Sequence, residues 1–415
     1  MKLIDDQNVM YIVRNVLDAV DNRLVAHGER VAYLVWKIMA FEGRLPKEIR
    51  IASELALMHD IGAFKTDEID SMLTFDCGAS WDHAIYGYVF LKYLSPLEMY
   101  ADCVLYHHLP YEKLAGVSCS HPYITSLIHL CDRIDVLSRS AEGVTKEKLA
   151  SYPKGEFDEQ RIRSFFKLEE AEQILRKLSE GTYQEENNRH FQRFRFSEET
   201  KVKYLEMLAY SIDFNSEHMV LHTIMTVALS VEIARFMGLP DNDVEKIKYG
   251  SLLHDIGKVK IPMSILEKAG SLNDEEMKVM RNHVVYSEEI LSDYLPRDIY
   301  LIAVRHHEKL NGRGYPHGLC ADDLTISERI VAIADITSAL LGKRSYKEKM
   351  SQEKTLHILH QMGEQGELDI DIINFLEEYQ NVIFKRASAS GDHVYMLYQE
   401  MLEEYHRLIQ EVARI

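Results

Sequence analysis

The chain has 415 residues, 46% hydrophobic and 27% charged, which is two to three times the commonest domain size and excludes a disordered or coiled-coil chain. Its 48 basic against 66 acidic residues leave a formal charge of -18, which opposes a surface that tracks nucleic acid or anionic lipid. Five cysteines (Cys77, Cys103, Cys119, Cys131 and Cys320) form neither a disulfide framework nor a CxxC pair, so a reducing compartment is expected.

The opening stretch, MKLIDDQNVMYIVRNVLDAVDNR, interleaves charged and apolar residues without a basic leader and apolar core. No segment reads as reaching the roughly 18–20 apolar residues that span a bilayer, and a cytoplasmic location is expected. Residues 1–150 read as a first helical module and contain LALMHDIGAFK, with His59 and Asp60. Residues 151–202 are more charged, with recurring helix-compatible apolar positions. They read as a helical connecting region that includes the first module's closing helices and a short exposed stretch near Gly181 to His190. A second module, 203–415, opens on KVKYLEMLAYSIDF and contains GSLLHDIGKVK, with His254 and Asp255. In TVALSVEIARFM and VEKIKYGSLLHD apolar residues recur every three or four positions, and period-two alternation is scarce, so the expected fold class is all-α. Gly62 and Gly257 are expected to end the helices that carry the His-Asp pairs, with Pro240 and Pro262 delimiting helices nearby. The tail from Arg344 reads as further helix that braces the second module and reaches the first.

The two His-Asp passages lie 195 residues apart, and other residues repeat at nearly that distance. His27 pairs with His222, His83 with His283, His107 and His108 with His306 and His307, and Asp132 with Asp335. The offsets drift only as short loop insertions require, so one module is used twice, as two compact domains. At a helix end, adjacent His and Asp side chains reach a metal pair, with the carboxylate bridging and the imidazole capping. The partners His222, His283, His306, His307 and Asp335 complete an N/O donor set suited to Fe, Mn or Zn and poor for thiolate-selective metals. A metal-free Asp-His dyad is the rival reading. Two ions about 3.5–4 Å apart would bind phosphate oxygens and stabilise an in-line displacement. Lys258, three residues after Asp255, would add a cation near the phosphate. In HHEKLNGRGYPHGL, residues 306–319, the glycines permit tight turns, while Asn311, Arg313 and Tyr315 offer an amide, a cation and a ring to a phosphorylated base.

HDIGK at 254–258, HHEKLNGRGYP at 306–316, His222, His283 and ADITSAL at 334–340 together resemble the HD-GYP phosphodiesterases, a branch of the HD-domain metal-dependent phosphohydrolases. The resemblance covers roughly residues 203–400. It implies a helical domain with two or three Fe or Mn ions that hydrolyses a 3'-5' linkage of a bacterial cyclic dinucleotide, cyclic di-GMP or the mixed cyclic GMP-AMP, to a linear product. It also implies that His222, His254, Asp255, His283, His306, His307 and Asp335 are metal ligands, that Lys258 contacts phosphate and that Tyr315 belongs to the GYP loop. One position departs from the pattern. Members with three metals resemble one another in a glutamate four residues before the first histidine, where this chain has His218. His218 faces the same side of an ideal helix and is the candidate ligand for a third ion, whereas Glu217 points about 100° away.

The first module looks like an HD domain without the GYP signature. His27, His59, Asp60, His83, His107, His108 and Asp132 match the metal pattern, but HHLPYEKLAG replaces the GYP segment, Ala63 stands in place of Lys258, and Arg23 lies four residues before His27. Arg23 would repel a third cation, so two divalent ions are expected there, with Lys65 a weak substitute for the missing phosphate contact. The leading expectation is a cyclic-dinucleotide phosphodiesterase whose second domain carries the activity and whose first is regulatory, structural or accessory. A phosphohydrolase of ordinary nucleotides and a non-catalytic cyclic-dinucleotide sensor are the alternatives. The expected partners are a cyclic dinucleotide and either a second copy or a regulatory protein, with no long nucleic acid and no membrane.

Overall fold

The computed structural model describes residues 3–19, 26–63, 81–141, 143–214, 216–268, 270–342 and 350–412. Every extended element among them is helical, and the sole β feature there is an isolated bridge between Asn311 and Cys320. The all-α expectation holds because apolar positions recur at helical spacing along nearly every segment. Arg23 and Lys65 lie outside the described residues, as does the side chain of Glu217.

The chain packs as two compact units. The N-terminal unit comprises Asp6–Met207 with Met401–Ile415, and the C-terminal unit comprises Leu208–Glu400 with Met1–Asp5. In the N-terminal unit α1 (Asp6–Asp18), α2 (His27–Phe41), α3 (Pro46–Leu57), α4 (Asp82–Leu94), α5 (Ala101–Leu105) and α6 (Pro122–Ser138) are followed by α7 (Glu159–Glu172), α8 (Ile174–Glu180) and α9 (Tyr183–Phe191). Then come α10 (Glu198–Asp213), α11 (Glu217–Phe236), α12 (Asp241–Leu253), α13 (Asp274–Leu291), α14 (Arg297–Val304) and α15 (Ile326–Leu341), and finally α16 (Gln352–Glu364) and α17 (Ile370–Val412). Helices α2–α6 correspond in order to α11–α15. Proline in the first turn starts α3 and α6, while reciprocal capping boxes, Asn273 with Glu276 and Thr325 with Glu328, start α13 and α15.

Three readings change here. The stretch from Gly181 to His190 is not an exposed connector: it is mostly α9, and Tyr183, Asn187 and His190 are buried. Its polar residues find tertiary partners. The His190 ring stacks on Trp36 at 4.2 Å, and its Nε2 lies 3.0 Å from Ser53 Oγ. Second, the His218–Phe236 window of α11 is long and apolar enough to cross a bilayer by length and composition, contrary to the sequence reading. In this fold 61% of that window is buried inside the protein. Leu229, Ile233 and Ala234 pack in the C-terminal core with Ile330, Ile333 and residues of α17 such as Ile373 and Leu376, so the apolar length serves packing. Third, α3 and α12 stop at Leu57 and Leu253, before the His-Asp pairs rather than at the following glycines. The tail does brace the second module, through α16 and α17.

Candidate metal centres

His254 caps α12, and Asp255 starts a single 3-10 turn, Ile256–Lys260. Gly257 presses this turn onto α13: a Cβ there would stand 2.0 Å from the His283 carbonyl oxygen and 2.5 Å from the Ser287 nitrogen. Gly62 meets α4 in the same way, 2.1 Å from the His83 carbonyl oxygen and 2.7 Å from the Gly87 nitrogen. In both units the glycine therefore fixes the distance between the His-Asp pair and the helix that carries the next histidine.

In the C-terminal unit seven residues converge from α11, the α12 end, α13, the α14 end and α15. His222 Nε2 is 3.1 Å from Asp335 Oδ1, His254 Nε2 is 3.1 Å from Asp255 Oδ2, and His283 Nε2 is 3.3 Å from Asp255 Oδ1. The two oxygens of Asp255 thus face different histidines. Asp335 does the same, its Oδ2 lying 3.8 Å from His307 Nδ1. Six of the seven fall into two groups whose ligand atoms lie within 4.8 Å of one another, His222/His254/Asp255 and His283/His306/His307, and Asp335 stands outside both. The Nδ1 atoms of His254, His283 and His306 lie 2.7, 2.7 and 2.8 Å from the carbonyl oxygens of Ser251, Met280 and Ala303. A carbonyl only accepts, so each Nδ1 donates and each Nε2 faces the centre. Burial opposes charge on His254, but the Asp255 and Asp335 carboxylates outweigh it and lift its pKa to about 9. Burial takes His307 down to about 3.

The N-terminal centre has the same plan. Asp60 Oδ2 is 3.3 Å from His59 Nε2 and 3.7 Å from His27 Nε2, while its Oδ1 is 3.6 Å from His107 Nε2 and 3.9 Å from His83 Nε2. Asp132 Oδ1 is 3.3 Å from His27 Nε2, and its Oδ2 is 3.8 Å from His108 Nδ1. The groups are His27/His59/Asp132 and Asp60/His83/His107/His108. His59 and His107 again hold backbone carbonyls through Nδ1, those of Ala56 and Val104. His59 Nε2, His107 Nε2, Asp60 Oδ1 and His254 Nε2 are buried without a hydrogen-bond partner. Such orphaned atoms are costly unless something else satisfies them, and imidazoles converging on a two-faced carboxylate fit divalent cations.

The surroundings of the two centres differ. His27 Nδ1 is 2.8 Å from the Asp135 carboxylate, which also pairs with Arg30 and Arg139. In the C-terminal unit the matching contact is His222 Nδ1 to the Ser338 hydroxyl at 2.8 Å. Burial opposes charge on His27, but Asp132 and Asp135 together lift it to about 10, and burial with this charged neighbour leaves His59 at about 4. Arg133, itself buried, reaches Asp132 Oδ2 at 2.8 Å and comes within 3.4 Å of His108 Nδ1. Its counterpart is the apolar Ile336. Lys258 Nζ lies 2.6 Å from Asp255 Oδ2, whereas Ala63 leaves a cleft edged by Arg14, Asp18, His27, Glu29 and Asp60.

Sequence reasoning missed a carboxylate repeated at the 195-residue offset. Asp213, at the end of α10, is buried, accepts from the Thr223 hydroxyl at 2.6 Å and acts on the Lys258 ammonium. Asp18, at the end of α1, instead accepts from the Ala26 N–H at 2.9 Å. It thereby holds Ala26 in a left-handed conformation, φ 61°, that L-residues rarely adopt, directly before His27. The 195 offset was the available signal. His218 lies one turn before His222 on α11 but is in neither ligand group.

In the GYP segment Tyr315 packs on His307 at 4.7 Å between ring centroids, with the Arg281 guanidinium 5.1 Å from its ring. Arg281, two residues before His283, was not singled out from the sequence. Asn311 turns its amide to the loop, donating to the Gln365 carbonyl at 3.3 Å and accepting from the Arg313 N–H at 3.1 Å. Arg313 is exposed. The segment is braced by Glu308, whose carboxylate accepts from the N–H groups of His317 and Leu319 at 2.7 and 2.9 Å.

Residues 206–372 match the family model described as HD domain. Over 405 residues the chain is 26% identical to the 3'3'-cGAMP-specific phosphodiesterase 1 of Vibrio cholerae, covering 93% of this chain and 94% of that protein. It is 40% identical over 195 residues to the 3'3'-cGAMP-specific phosphodiesterase 2 of the same organism, covering 46% of this chain and 37% of that protein. It is 42% identical over 131 residues to the cyclic di-GMP phosphodiesterase response regulator RpfG of Xanthomonas campestris, covering 31% of this chain and 35% of that protein. In fold it is similar to the V. cholerae cyclic GMP-AMP specific phosphodiesterase V-cGAP3, with a TM-score of 0.59 at 18% identity, covering 91% of this chain and 98% of that one. The C-terminal unit thus contains an HD domain, of a kind that binds divalent metals, and the chain is homologous to the 3'3'-cGAMP-specific phosphodiesterases and the HD-GYP cyclic di-GMP phosphodiesterases.

Proposed function

We propose that this chain is a metal-dependent phosphodiesterase that opens a 3'-5' linkage of a cyclic dinucleotide, cyclic di-GMP or 3'3'-cGAMP, at the C-terminal centre. The observation that carries the reading is the pair of ligand groups joined by Asp255 and Asp335, with Lys258 and the GYP segment at its edge. His222, His254 and Asp255 would hold one ion and His283, His306 and His307 another, with Asp335 facing a histidine of each group. Iron or manganese suits this set, and His218 is the candidate for a third ion. Divalent ions held there supply Lewis-acid stabilisation of phosphoryl charge and activation of water. Lys258, kept charged by Asp255 and Asp213, neutralises a phosphate oxygen. Tyr315, backed by His307 and Arg281, offers a face on which a base stacks, and Arg313 adds a cation from the exposed side of the loop.

The N-terminal unit reads as a second metal-holding HD domain, with 151–202 as its helical extension and a regulatory or accessory role. It has the ligands but not the lysine, and Arg133 occupies an oxygen of Asp132. The test is incubation of metal-loaded protein with cyclic di-GMP and 3'3'-cGAMP. Linear dinucleotide from at least one is expected. Failure to hydrolyse either, with occupied centres, overturns the reading, as does faster turnover of a linear nucleotide.

A further inference from the structure

Away from both histidine-aspartate centres, the N-terminal unit brings together Asp102, Cys103 and His121, whose ligand atoms all lie within 4.8 Å of one another. Asp102 and Cys103 open α5, and His121 precedes α6, so the loop between these helices is closed at its two ends by this cluster. Asp102 Oδ1 and His121 Nδ1 are 3.8 Å apart, and each is buried without a hydrogen-bond partner. Tetrahedral zinc, with bonds of about 2.0–2.3 Å, sets its ligand atoms roughly 3.3–3.8 Å apart, so this spacing needs little movement. A fourth donor stands beside this group of three but outside it: Cys119 Sγ lies 3.2 Å from Thr125 Oγ1, the hydroxyl that donates to the His121 carbonyl at 3.1 Å, so its sulfur has to shift to join them.

We propose that Asp102, Cys103, Cys119 and His121 form a structural zinc site, separate from the histidine-aspartate centres and specific to the N-terminal unit. The offset that relates His107 to His306 places Leu301 and Ile302 where Asp102 and Cys103 stand, so the other unit has no such site. The comparison of loops shows what the ion would do. In the C-terminal unit the segment after the double histidine is braced by Glu308 and by the Asn311–Cys320 bridge. In the N-terminal unit Leu109 stands in place of Glu308. The start of its loop is held by the N–H groups of Tyr111 and Glu112 on the carbonyls of Glu156 and Gly155. Its far end has Cys119, the Ser120 N–H on Asp102 Oδ2 at 2.5 Å, and His121. Zinc there ties that end to α5, which delivers His107 and His108 to the first centre. Binding releases the thiol protons, because a zinc-bound sulfur is a thiolate.

Thiolate makes the site distinguishable, since no ligand of the histidine-aspartate centres is sulfur. The full-length protein is stripped of metal, loaded with cobalt and read for sulfur-to-cobalt charge-transfer absorption, and zinc per chain is measured in parallel. The wild type is expected to show the band and to bind one zinc more than the Cys103→Ser variant, with the band lost in that variant and about halved in Cys119→Ser. Cys119 and His121 lie at the partly exposed edge, so Cys119→Ser and His121→Ala keep the test open if Cys103→Ser misfolds. No band in the wild type, a band unchanged in Cys119→Ser and His121→Ala, or a Cys103–Cys119 disulfide in freshly prepared protein overturns the site.

Discussion

The two halves of this chain hold the same seven-residue constellation in different electrostatic surroundings. In the C-terminal unit the helper of His222 is a hydroxyl, Ser338, and the positive charge of Lys258 sits against the carboxylate of Asp255. In the N-terminal unit the helper of His27 is a carboxylate, Asp135, and the added cation is Arg133, placed against the other carboxylate, Asp132. A lysine beside Asp255 is a flexible point charge available to a phosphate, whereas a buried guanidinium is committed to the groups it pairs with. The seven side chains are retained in both halves, and the difference lies in the charges that surround them.

The largest difference between the two centres is expected on removing from each the aspartate that follows its histidine. Asp255→Asn is expected to lower kcat by about 1,000-fold or more and to release metal from the C-terminal centre. Asp60→Asn should release metal from the other centre and cost less than about tenfold. Equal losses in steady-state assays paired with metal analysis would erase the proposed division of labour. Next in size is the packing both halves share. Gly62→Ala and Gly257→Ala each force a Cβ into backbone and should destabilise the respective unit by about 3 kcal/mol, read from denaturant melts. Tolerance of either alanine would show that the turn can move away from its helix.

A smaller effect is expected from Lys258→Ala, a fall in kcat of about 100-fold with metal content unchanged. Loss of metal instead would make the lysine structural. The last contrast belongs to the N-terminal unit. Glu54, buried on α3 against the Tyr204 hydroxyl at 2.6 Å, is raised by burial from 4.5 to about 7. Its raised folded-state value means the native state holds a proton that the unfolded state releases between pH 4.5 and 7. Stability is therefore present below pH 4.5 and is lost as pH rises through 7. Glu54→Gln should stabilise by about 1–2 kcal/mol at pH 8 and have little effect at pH 4. An equal effect at both pH values would rule out that titration.

The residues that cluster at the two centres were legible because histidine and aspartate recur in one order at nearly one offset, a pattern that survives loop insertions. Asp213 and Asp18 obey the same offset but escaped notice, since a lone aspartate nine residues before a histidine has no motif to mark it. Arg281 and Arg133 were invisible for another reason: each lies beside a ligand in sequence, and only helix orientation decides that its side chain reaches Tyr315 or Asp132. The Gly181–His190 stretch looked like a linker because its polar residues are satisfied by partners more than a hundred residues away, Trp36 and Ser53 among them.

Helical class, duplication and the residues that gather at the two centres could be read from chain order alone, because periodicity and spacing are one-dimensional properties. The tertiary structure decided that each shared aspartate turns its two oxygens to different histidines, that each glycine sets the gap to the neighbouring helix, and that distant Asp102, Cys103 and His121 meet. Those outcomes depend on directions of side chains across packed helices, which chain order does not encode locally.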